Sequence, residues 1–202
     1  MGKRRLEFAL RMYQARMPDE DKPAVRWLPF QLNPDLPEAG LPRQEYLERK
    51  FGPGHSHSYT RVAGVGQEVG IDFAFDHITL QPNTLDAHQL MLYGAKRGRE
   101  DEVAENLFRA YFLEGANFTD KATLASVGER AGLDRAALAA YLASDDGRQE
   151  VLRADLEARQ AGINAVPCFI FNRRTAVSGA QAPETLLQAM LDARLREEEQ
   201  QG

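Results

Sequence analysis

A lone cysteine, Cys168, follows a proline in the run Val166-Pro167-Cys168-Phe169-Ile170-Phe171. A thiol there has two readings. Turned into the core of an alternating strand, it is a small inert hydrophobe. Exposed and with a lowered pKa, it is a resolving or regulatory thiol. Further on, Ser178-Gly179-Ala180-Gln181 precedes the helix-start sequence Ala182-Pro183-Glu184. Unpaired N–H groups and the positive end of a helix dipole would make that segment an anion site; the plainer reading is a cap. Asn83-Thr84 opens another helix, on which His88 shares a face with Leu85 and Leu92. Such a histidine is either a satisfied core group or part of a cleft. His55-Ser56-His57 has the spacing of half a metal site, but in a Gly/Pro-flanked loop with no acidic or cysteine partner nearby. No metal site is expected.

The elements that must position these residues are mostly helical. Leu6, Leu10, Tyr13 and Met17 form a helical stripe that Pro18 ends. Ala24 to Pro34 reads as a strand, with Leu28, Phe30 and Leu32 on one face and Val25 and Trp27 on the other. Pro29 makes it an edge strand or a bulge. Helices are then predicted over 43–51, 58–69, 85–96, 100–113, from Asp120 to near Gly132, from Asp134 through Leu142, and over 147–161. Val166 to Phe171 and Thr175 to Val177 read as a hairpin turned at Asn172-Arg173-Arg174. A last helix carries Leu186, Leu187, Met190, Leu191 and Leu195 into a polar tail.

Composition narrows the functions. The 202 residues are 43% apolar, enough for a core, with a net charge of -5. That charge offers no general hold on nucleic acid or on an anionic membrane, and neither is expected as a partner. No apolar run is long enough for a membrane-spanning helix. Glu7, Arg11 and Arg16 interrupt any signal-peptide core near the start. One cysteine excludes an intrachain disulfide framework. A soluble, cytoplasmic α-rich protein is the expectation.

The order helix, strand, helical block, hairpin, helix resembles the DsbA superfamily. The closest branch is similar to FrnE-type oxidoreductases, with 2-hydroxychromene-2-carboxylate isomerases and kappa-class glutathione transferases as cousins. The matching pieces are Gly2-Lys3-Arg4-Arg5-Leu6-Glu7, Trp27 to Pro34, Asn83-Thr84 with Ala87-His88, Ala110-Tyr111-Phe112, Gly162 to Phe169, and Ser178 to Gln181. The resemblance implies an α/β, thioredoxin-like fold with a large all-helical insertion. Residues 1–33 and 163–202 would form the thioredoxin-like domain and 34–162 the insertion. It also implies a strand and a Cys-Pro-Trp-Cys motif just ahead of Gly2. Neither is in these 202 residues, and a complete native chain is expected to supply both.

The implied activity is thiol–disulfide exchange on protein or small-molecule disulfides. Pro167 would be cis against the cysteines, with the main chain of Val166 turned to substrate and Cys168 beside it. Lys3, Arg4 and Arg5 would form a solvated face or lower a thiol pKa. Asn83 and His88 would line the cleft. Ser178, Gly179, Ala180 and Gln181 would hold substrate, in the cousins the γ-glutamyl carboxylate of glutathione. No resident cofactor is expected, with glutathione as an optional co-substrate. Two other readings stay open: a glutathione-dependent isomerase or transferase, and a catalytically inactive thioredoxin-fold binding module.

Overall fold

Every predicted helix forms, and most ends carry their own stop signal. In the computed structural model of the chain, residues 1–52 and 56–201 are described, the side chains of 56–58 and 197–201 excepted. The His55-Ser56-His57 reading therefore lies outside the described side chains. The chain divides into two units. The first holds Met1–Val25, Val65–Ile71 and Ile163–Gly202, and the second holds Arg26–Gly64 and Asp72–Gly162.

In the first unit, helix α1 (Gly2–Arg16) buries Leu6, Ala9, Leu10 and Tyr13. They meet Leu186, Leu187 and Met190 of the last helix, α9 (Pro183–Gln201). The hairpin of β3 (Cys168–Phe171) and β4 (Thr175–Ser178) lays Phe169, Phe171 and Val177 against this core. Its register pairs Cys168 with Ser178 and Phe171 with Thr175. Asn172 and Arg173 both take positive φ, 49° and 59°, at the centre of the turn that the Arg174 N–H closes on the Phe171 carbonyl at 3.0 Å.

In the second unit, α2 (Arg43–Phe51) and most of α3 (Ser56–Glu68) precede a helical core. That core comprises α4 (Leu85–Ala95), α5 (Glu100–Phe112), α6 (Lys121–Arg130), α7 (Arg135–Ala143) and α8 (Arg148–Gln160). Asp120 caps α6 by accepting from the Ala122 and Thr123 N–H groups, and Asp134 caps α7 through Ala137. Leu90, Leu124, Leu138 and Leu142 are fully buried among these helices. A two-residue ladder the sequence did not signal joins β1 (Leu41–Pro42) to β2 (Leu80–Gln81).

The strand expected over Ala24 to Pro34 makes no ladder. In its second-unit part, side chains take the main-chain groups that a neighbouring strand would use. The Trp27 N–H donates to Glu100 at 2.8 Å, and the Gln31 N–H donates to Asp155 at 2.6 Å. The Gln31 carbonyl accepts from Arg159. This is why residues 26–33 pack with the helical unit, where the sequence reading had grouped them with the hairpin and terminal helices.

Candidate functional site

The first turn of α1 and the head of the hairpin meet at a glycine. Gly2 lies so close to Pro167 that an added Cβ would stand 2.8 Å from the proline Cγ and 3.4 Å from the Phe169 ring. Only a residue without a side chain allows that approach. The Val166–Pro167 peptide is cis. Pro167 C=O accepts from the Gly179 N–H at 2.8 Å, which ties the hairpin head to the segment before α9. Val166 is 49% exposed, and its N–H and C=O have no hydrogen-bond partner among the described residues. An extended chain could pair with them.

Cys168 turns away from the helix-packed core, contrary to the inward reading. Side chains alternate along the strand, and Phe169 and Phe171 take the core side. Cys168 therefore shares the other face with Ile170, which is 45% exposed, and lies half-buried opposite Ser178.

The segment Ser178 to Gln181 is a built turn, and two of its N–H groups are already used. Gly179 donates to Pro167, and the Gln181 N–H donates to the Gly179 carbonyl at 2.9 Å. The Gln181 side-chain amide returns to the Ser178 carbonyl at 2.9 Å, and Arg5 donates to the Ala180 carbonyl. The expected row of unpaired N–H groups is thus absent at these two positions. Arg5 instead fastens α1 to this turn, a role its sequence gives no sign of. Lys3 and Arg4 both pair with Glu7, at 2.5 and 3.0 Å. That cluster was legible in the i,i+4 and i,i+3 spacing.

Asn83 and His88 belong to the second unit. Asn83, just ahead of α4, accepts from the Leu85 N–H at 3.0 Å and donates to the Leu36 carbonyl at 2.7 Å. Burial pushes the His88 pKa down to about 4, against the upward pull of a hydrogen bond to the Phe30 carbonyl and of Asp155. The residue as a whole keeps some accessible surface.

Folded, His88 refuses a proton until about pH 4; unfolded, it takes one near 6.5. Acid therefore favours the unfolded chain. The contribution is whole above pH 6.5 and is lost as pH falls towards 4. Between pH 7 and pH 5 the chain should lose about 2 kcal/mol through this group. Urea unfolding at the two pH values measures the loss, and His88→Gln should shrink it by that amount. An identical pH dependence in both proteins would refute the assignment.

No helix among the described residues is long and apolar enough to cross a membrane. The sequence profile of the DSBA-like thioredoxin domain matches residues 1–191. Among solved structures, the chain is similar to a probable DsbA oxidoreductase from Streptomyces coelicolor. The two are 27% identical, with a TM-score of 0.84, over 95% of this chain and 82% of that one. A comparison with curated proteins finds no match.

Proposed function

The chain belongs to the DSBA-like thioredoxin family, and from that premise we propose that it serves thiol–disulfide exchange of the FrnE type at the Gly2–Pro167 junction. A cysteine pair carried directly ahead of Gly2 would stand at the N-terminus of α1, beside Pro167. There the helix dipole favours a thiolate. That thiolate attacks one sulfur of a substrate disulfide and releases the other as a thiolate. The second cysteine then attacks the mixed disulfide and releases the remaining substrate thiol. Two electrons pass to the substrate, and the protein pair becomes a disulfide. The free main chain of Val166 would hold an extended stretch of substrate during both steps.

The observation that supports this reading most is the approach of Gly2 to Pro167, too close for any side chain. The test is a chain carrying an apolar strand and Cys-Pro-Trp-Cys directly ahead of Gly2. It should accelerate insulin reduction by dithiothreitol. Gly2→Val in that chain should lower the rate by roughly ten- to a hundredfold, because the helix end is pushed off Pro167. A folded extended chain that leaves the rate at that of buffer would overturn the proposal.

A further inference from the structure

Helix α2 carries two cations, Arg43 and Lys50, with no carboxylate partner among the described residues. Arg43 donates to the Tyr59 hydroxyl at 2.7 Å and to the Gln81 side-chain carbonyl. Its guanidinium lies 5.1 Å from the Tyr59 ring centre and 5.9 Å from that of Tyr46. Lys50, two turns on, donates to the Tyr46 hydroxyl at 2.8 Å and lies 5.6 Å from the Phe51 ring centre. Every one of these acceptors is neutral. Among the described residues no carboxylate pairs with Arg43 or Lys50. The nearest acids in sequence are engaged elsewhere on the helix, Glu45 by Arg49 and Glu48 by Gln44. The charged groups acting on Tyr59 are Arg43 and Lys50, and on neighbouring Tyr111 it is Arg43 again.

Two like charges around one half-buried phenol repel each other, and a half-buried guanidinium has given up part of its hydration. Such a cluster is completed by an anion. Tyr59 accepts from Arg43, and its own O–H has no acceptor among the described residues. The surroundings are aromatic. Phe75 packs edge-on to Tyr59 with ring centres 4.8 Å apart, and Phe51 is 51% exposed beside Lys50.

We infer that Arg43, Lys50 and Tyr59 form a binding site for a small aromatic carboxylate. The carboxylate accepts side by side from the guanidinium and from the tyrosine O–H, Lys50 adds a second charge, and the flat body lies on the aromatic side chains. The site lies wholly within the helical unit and does not depend on the exchange chemistry at Pro167.

Benzoate is the probe, titrated into the 202-residue chain and followed by calorimetry and by amide NMR shifts. Saturable binding with shifts in α2 and around Tyr59 is expected, with benzamide and acetate both clearly weaker. Benzamide keeps the ring without the charge, and acetate keeps the charge without the ring. Lys50→Gln alters an exposed side chain and should weaken benzoate about two- to fivefold. Arg43→Gln should weaken it about tenfold or more. If Arg43→Gln does not fold, Lys50→Gln decides alone. The inference fails if benzoate does not saturate, if either control binds as tightly, or if benzoate affinity is unchanged in the folded variants.

Discussion

Insulin reduction by dithiothreitol is expected to run at the uncatalysed rate when the 202-residue chain is added. Thiol–disulfide exchange in two steps needs an attacking thiolate and a second thiol to resolve the mixed disulfide. The chain has one cysteine. Cys168 can at most be captured by a substrate, and nothing within the chain can release it. Its setting does not help it attack, since it is half-buried opposite Ser178 on a strand whose other face packs into the core. Turbidity of the insulin B chain with and without the protein measures the effect, and Cys168→Ser should give the same trace. Acceleration that disappears with Cys168→Ser would show that a single thiol suffices. The junction at Gly2 and Pro167 would then not be where the chemistry resides.

Much of this fold was legible because its signals are local. Asp120 and Asp134 announce their helices and cap them, and Pro183 stands in the first turn of α9. The hairpin follows from β-branched and aromatic runs around Asn172-Arg173. What the sequence could not show is the use made of polar groups far apart along the chain. The segment from Arg26 to Asn33 has a strand's alternation, yet its N–H and C=O groups are met by Glu100, Asp155 and Arg159 from helices 70 to 130 residues away. Helix α8 even inverts the apolar rule. Leu152 and Leu156 are exposed at 37% and 53%, while Val151 and Asp155 are buried, because a side of the helix that carries a carboxylate is the one that can receive Gln31. At the junction, Gly2 reads as an unremarkable helix-start residue until the Pro167 ring is seen against it. Pro167 and Val166 were recognisable from the motif around them. Arg5 was not, because its acceptor is a carbonyl 175 residues on.

Replacing Asp155 by alanine should therefore cost more than replacing either exposed leucine of α8. The carboxylate accepts from the buried Gln31 N–H at 2.6 Å through one oxygen, and from Arg159 at 2.8 Å through the other. Gln31 is 2% exposed and Asp155 6%, so water cannot take over the abandoned N–H. An orphaned buried donor costs about 1–3 kcal/mol, and the lost charge-assisted bond adds to that. Arg159 itself reaches solvent and stays hydrated, which keeps the total below that of a fully buried broken pair. A loss of about 2–4 kcal/mol follows, or roughly 5–15 °C in melting temperature for a chain of this size. Asp155→Asn keeps an acceptor for the Gln31 N–H and gives up only the charge, so it should fall between wild type and Asp155→Ala. Hydrogen exchange supplies the local reading: the Gln31 amide should lose protection in Asp155→Ala well before the amides of α4 and α6 do. If Asp155→Ala melts within a degree or two of wild type with the Gln31 amide still protected, then apolar contacts alone hold residues 26–33. The carboxylate would then be a passenger in the interface it occupies.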